Sequence, residues 1–400
     1  MSNCYICGDK LSEGKVSDEH VLPNCIGGRL RLKNALCVGC NSKFGSDIDS
    51  HLCEEMKEIS NLLNIKRQRN KPSNIQAMGS DGDQYTVKPG FKFHKSIPVK
   101  ETVNGFDIRA KDYPQFIKIL KDIKKKYPHI DEDEILQNAQ EQNYFVDELK
   151  INFTFDDDQK TLKAICKIAV NYYLYKKYDM EYIQHLIPYL TSDRNIECVQ
   201  VYYPDENDIY DLSEGHEILH SIILHGNCQE KILYAYIELF STFKFIVLLN
   251  DDYDGEEISN AYFYNVITTK NICKPLKKPK TRKELMDIFD EPINTSNFIA
   301  AIKNLLHLIY IKHLKDACTE MVSGIVDEWY KENLGKVIDD ELLGDLMTDF
   351  EKELKILAPH LHKNFDKSTI DLIMRLFGTA IEVALKHVTT TSTNDHSSTS

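Results

Sequence analysis

The sequence predicts an α+β protein in three parts: a small β-β-α module tied by a metal, a mixed α/β middle domain and a helical bundle. Three observations carry that prediction. Six of the eleven cysteines fall in the first 53 residues. Strand-like and helix-like apolar patterns alternate through the middle, and from residue 291 onward apolar residues recur only at three-to-four spacing. The expected limits are 1–75, 76–290 and 291–388, with the Ser- and Thr-rich stretch 389–400 expected to be disordered. A chain of 400 residues with 42% hydrophobic content is long enough for this division.

Charge narrows the partners. The net charge of -13 excludes a surface devoted wholly to nucleic acid, yet residues 1–76 hold eleven Lys/Arg against nine Asp/Glu while the remainder holds 38 against 53. A polyanion is therefore expected to meet the first segment. No charged-then-apolar leader opens the sequence, and no run approaches the roughly 20 apolar residues of a membrane helix. The expectation is a soluble, cytoplasmic protein with no membrane partner. No glycine-rich phosphate loop is found, so no ATPase is read.

Within the first segment, Cys4-Tyr5-Ile6-Cys7-Gly8 is a knuckle whose glycine lets the chain curl two thiols toward one ion. Cys37 and Cys40 repeat the spacing. Four thiolates make the closed tetrahedral set of a structural Zn²⁺ site, which folds the module and does no chemistry. Cys25 and Cys53 are left over and expected to be buried thiols. Between the pairs, 16–22 reads as a strand, 23–29 with Gly27-Gly28 as a loop and 30–36 as a returning strand. Residues 41–52 read as a helix with Phe44, Ile48 and Leu52 on one face. That order sets His20 opposite Asn41.

Asp18-Glu19-His20-x-x-Pro23, then Gly27-Gly28, then Asn34-x-x-Cys37-x-x-Cys40-Asn41 resembles the HNH endonuclease family in its four-cysteine, ββα-metal form. The resemblance covers about the first 70 residues. It implies that His20 is the general base, that Glu19 and Asn41 hold one Mg²⁺ or Mn²⁺ on the scissile phosphate, and that Asn34 orients the His20 ring. It also implies a nucleic-acid substrate, by default double-stranded DNA, and a setting such as phage defence or restriction. Two departures bear on the ion. Glu stands where Asp is usual, which leaves Asp18 open as the ligand; Asn rather than His closes the motif, which favours a hard cation.

The stretch 64–72 packs Lys66, Arg67, Arg69 and Lys71 into six residues and is the expected phosphate contact, with Arg29, Arg31 and Lys43 beside it. Asp47 and Asp49, one and two turns into the helix, are placed to approach the ion but read rather as a solvated helix face. Further on, 99–103 and 106–109 flank Asn104-Gly105 as a hairpin, and 114–127 is an amphipathic helix with a lysine face. Strands are expected at 151–155, 199–203, 218–224 and 245–249, and helices at 160–177 and 230–240. His216-Glu217-Ile218-Leu219-His220 matches a zinc-peptidase motif but lies in a β-branched run; on a strand the two imidazoles stand roughly 13 Å apart, too far to chelate. Helices are expected at 295–318, 319–330, 338–357 and 369–387, a portion suited to a homo-oligomer contact or a regulatory partner. The rival from another class is a zinc-knuckle adaptor that binds nucleic acid or protein without catalysis.

Overall fold

The computed structural model describes residues 3–12, 16–96, 99–102, 105–110, 113–140, 148–155, 158–192, 196–211, 217–333, 336, 339–364 and 366–395. They divide into two compact units, Met1–Leu306 and His307–Ser400.

Strand β1 (Val16–His20) pairs antiparallel with β2 (Arg31–Cys37), His20 opposite Arg31 and Glu19 opposite Leu32. The register slips at Asp18, so that Lys33, Asn34 and Ala35 face this one residue. The connection turns through a short 3-10 segment, Asn24–Ile26, into Gly27 at φ 92°. At Gly28 a Cβ would lie 1.9 Å from the Leu22 carbonyl oxygen, so only glycine lets the loop close.

Three short helices follow: α1 (Val38–Ser46), α2 (Ile48–Glu55) and α3 (Lys57–Leu62). The single helix expected over 41–52 thus starts earlier and breaks once. It starts earlier because the Cys37 Sγ caps it, accepting from the Cys40 N–H at 3.4 Å. The break is at Asp47, where φ -120° and ψ -99° interrupt the helical geometry. Phe44, Ile48 and Leu52 are buried, as the spacing predicts.

Strands β3 (Ile75–Gly79), β4 (Gln84–Lys88) and β5 (Lys92–Lys95) form a meander, β6 (Val99–Thr102) and β7 (Gly105–Ile108) a hairpin, and α4 (Tyr113–Lys126) and α5 (Glu132–Asn138) follow. The central residues 103 and 104 of the expected hairpin lie outside the described residues. β8 (Leu149–Lys150) completes a sheet of order β5-β4-β3-β8. Residues 151–155 do not continue it as the expected strand; Phe153 and Phe155 pack instead on the ring of Phe243.

Helix α6 (Gln159–Tyr175), the short α7 (Ile187–Thr191) and the strands β9 (Val199–Val201), β10 (Leu219–Asn227), β11 (Ile232–Leu239), β12 (Phe243–Asn250), β13 (Ile258–Asn265) and β14 (Lys270–Ile272) build the main core. The sheet order is β14-β13-β10-β11-β12-β9, antiparallel at every pairing. The middle is therefore α+β rather than α/β. The helix expected at 230–240 is strand β11. Its eight residues are all buried, so its apolar run carries no alternation by which a strand could be told from a buried helix. Helix α6 packs against α2 and β2 on one side and β10–β12 on another, which joins the first module to the sheet.

After α8 (Arg282–Asp290), three long helices close the sequence: α9 (Thr295–Glu332), α10 (Asp340–Asn364) and α11 (Lys367–Asp395). One helix replaces the two expected at 295–330, since neither Gly nor Pro falls at their junction. In the second unit Cys318, Val322, Trp329, Leu346, Phe350, Ile373 and Phe377 form the core. Helix α11 takes in the expected disordered stretch from 389 as far as Asp395, no Gly or Pro intervening; 396–400 lie outside the described residues. No helix among the described residues is long and apolar enough to cross a membrane.

Candidate active site

The N-terminal knuckle and the β2–α1 junction bring Cys4, Cys7, Cys37 and Cys40 together, all four sulfurs within 4.8 Å of one another. The knuckle closes through a Gly8 N–H bond to the Cys4 carbonyl at 2.9 Å, with Gly8 at φ 76°. The Cys7 and Cys37 sulfurs stand 3.8 Å apart, the edge of a tetrahedron whose metal–sulfur distance is about 2.3 Å. An all-sulfur set at that spacing can hold a zinc ion. Burial opposes ionisation of the Cys4 thiol, but the backbone N–H groups of Cys7, Cys37 and Ile6 bring it down to about 7. The Cys40 thiol is pushed upward by burial and by its neighbours, so a full set of thiolates depends on the ion.

Beside this staple opens a cavity of about 570 Å³. Asp18, Glu19 and His20 line it from β1, Asn41 from α1, Asp49 from α2, Arg31 from β2, and Gln68 and Arg69 from the basic loop. His20 is half-buried, and its Nε2 has no hydrogen-bond partner among the described residues. Burial first, and then the Arg31 guanidinium, lower its pKa to about 4, so the imidazole is neutral at neutral pH. The Asn41 Nδ2 donates to the Ser17 hydroxyl, so the amide oxygen is not the atom engaged in that bond. Asn34 lies elsewhere. It is exposed at φ 56° opposite the Asp18 bulge and does not line the cavity; asparagine suits that left-handed position.

One residue of the cavity region, Lys167, was not read from the sequence, and a second, Asp49, was read chiefly as solvated. Asp49, expected on a solvated face, turns inward, and Lys167 of α6 sits between it and Glu19. The Lys167 Nζ donates to both Asp49 oxygens at 3.0 and 2.8 Å and to Glu19 Oε1, and the residue is 2% exposed. Burial pushes the Glu19 carboxyl up and Lys167 draws it only partly back. Burial also works against the ammonium, but Asp49 and Glu19 outweigh it and hold Lys167 protonated. A signal did exist: Lys167 is the one charge in the apolar run Ala164–Val170, and buried lysines are rarely unpaired. One turn on, Asn171 donates to the His20 carbonyl at 3.4 Å and accepts from the Tyr5 hydroxyl at 2.8 Å.

His216 lies outside the described residues. His220 is fully buried on β10: its Nδ1 accepts from the Phe240 N–H at 3.2 Å, so Nε2 carries the proton and donates to the Ile26 carbonyl at 2.9 Å. This ring ties the sheet to the loop of the β1–β2 pair. Cys25 and Cys53, expected as free thiols, are a disulfide across the cavity wall, their Cα atoms 5.7 Å apart.

The basic residues divide. Lys43, Lys66, Arg69 and Lys71 are exposed. Arg31 is engaged by the Asp18 carbonyl at 3.1 Å and by the Gln68 side chain. Arg29 donates to the Lys66 carbonyl at 2.8 Å and to Tyr264 at 3.4 Å, and thus braces the basic loop. Arg67 is half-buried, and its Nε has no partner among the described residues.

Two paired strands, a helix and a four-thiol staple around a histidine define a cysteine-tethered ββα module. A model of the HNH endonuclease family matches residues 4–57, which carries nuclease chemistry and nucleic-acid binding at the level of that family. No curated protein and no solved structure matched the chain. Other than the four cysteines, no group of three or more His, Cys, Asp or Glu ligands clusters among the described residues.

Proposed function

We propose that this chain is a divalent-metal-dependent endonuclease that hydrolyses phosphodiester bonds in double-stranded DNA. The observation that carries the reading is that the neutral imidazole of His20 shares one cavity with Asp18, Glu19, Asn41 and two arginines. A bound Mg²⁺ or Mn²⁺ would supply Lewis acidity to the negative charge developing at phosphorus. With the ring proton on Nδ1, the His20 Nε2 takes the proton of the attacking water, a contribution of about 10²–10⁴-fold. Glu19 through its second oxygen, Asp18, and the Asn41 amide oxygen are the candidate ligands. Arg69, Lys43, Lys66 and Lys71 meet the DNA backbone, and Arg31 flanks the phosphate. The setting we favour is phage defence or restriction, since a nuclease loose in its own cell has to be restrained.

The test is incubation of the zinc-loaded full chain with supercoiled plasmid and Mg²⁺ or Mn²⁺. Nicking that His20→Ala lowers by at least about 10²-fold, with DNA binding retained, supports the reading. DNA binding without metal-dependent nicking in the wild type supports the adaptor instead.

A further inference from the structure

We infer that Lys167 is a positioning residue of the nuclease centre, whose ammonium neutralises Glu19 and Asp49 and so limits the negative charge the cavity presents to a divalent cation. This deepens the proposed function and rests on its reading of the cavity as an ion site. The ammonium is buried among Glu19, Asp49 and the ring of Phe44, 5.2 Å from the ring centre, and both carboxylates line the cavity. Asp49 turns both oxygens to the ammonium and Glu19 turns one. Of these two carboxylates, only the second Glu19 oxygen is not turned to the ammonium, so Glu19 joins Asp18 as a carboxylate open to an ion while Asp49 is withheld.

Two carboxylates and one ammonium carry a net charge of about -1, enough for a cation that keeps most of its water. Without the ammonium, the buried Glu19 and the partly buried Asp49 would converge at about -2, the charge complement of the ion itself. Asn171, one turn further along α6, is held by the His20 carbonyl and the Tyr5 hydroxyl, which fixes the helix against the module. The centre therefore extends beyond the matched segment 4–57 into α6. Asp18, Arg31 and Arg69 also face the cavity, but none contacts Lys167 among the described residues.

The test is Mn²⁺ binding by the full-length, zinc-loaded chain, read from the electron paramagnetic resonance signal of free Mn²⁺ without substrate. Lys167→Met is expected to bind Mn²⁺ at least about tenfold more tightly than wild type, and Lys167→Arg to stay within about threefold of it. Asp49→Asn, which leaves the ammonium less neutralised, is expected to bind at least about threefold more weakly. A folded Lys167→Met, with full zinc content, whose Mn²⁺ affinity is unchanged or weaker overturns the inference while leaving the ion site intact. If Lys167→Met does not fold, Asp49→Asn decides, and unchanged or tighter binding there overturns it. Absence of saturable Mn²⁺ binding in the wild type and in every variant overturns the ion-site reading, and this inference with it.

Discussion

Replacing His220 by Phe keeps a ring of similar size while removing both of its hydrogen bonds. The Ile26 carbonyl and the Phe240 N–H, joined by the imidazole in the wild type, are left without that partner. Each orphaned buried group costs about 1–3 kcal/mol, so the variant is expected to lose about 2–6 kcal/mol at pH 7.5. The loss must shrink on acidification. Burial, opposed by the Ile26 carbonyl, lowers the pKa of His220 to about 4, whereas the unfolded imidazole titrates near 6.5. The unfolded chain therefore takes up a proton that the folded chain refuses. The stability that neutral His220 contributes is fully present above pH 6.5 and declines as pH falls toward 4. At pH 5 this amounts to about 2 kcal/mol, so the gap between wild type and His220→Phe should narrow by about that much. Urea titrations read by hydrogen-exchange mass spectrometry on β10 and β11 peptides isolate this sheet from the helices around Trp329. A gap of equal size at pH 7.5 and pH 5 would refute the assignment of His220 as a buried neutral clamp.

Removing zinc with a strong chelator, or replacing Cys37 by Ser, should unfold β1, β2 and α1, because structural zinc sites contribute about 10 kcal/mol or more; metal analysis should find one zinc per wild-type chain. Gly28→Ala is expected to cost about 3 kcal/mol or more by urea titration, since its Cβ would overlap the Leu22 carbonyl; a stable variant would contradict the loop geometry. Reducing the Cys25–Cys53 disulfide, which spans 28 residues, should cost about 3–4 kcal/mol, measured by comparing oxidised protein with Cys25→Ser/Cys53→Ser.

How far the sequence could be read depended on whether an interaction was local. The four thiols, the β1–β2 pair, the Gly27-Gly28 turn and His20 beside Asn41 lie within about forty residues and announce themselves by spacing and residue type. Strand β11 was lost because burial on both faces erased the alternation that separates strand from helix. The basic loop was legible as charge, but not that Gln68 would reach Arg31 or that Arg29 would serve as a brace.

By itself, then, the sequence determined which sulfurs gather in the first module, which imidazole lines its cavity, and that its basic charge is concentrated in the 64–72 loop. Only the tertiary structure decided that the module is not free-standing. Lys167, Asn171 and His220 sit 148, 151 and 194 residues from Glu19, His20 and Ile26, their partners. The physical reason is that a buried charge or imidazole finds its counterpart through packing, and no periodicity in the chain encodes which distant group that will be.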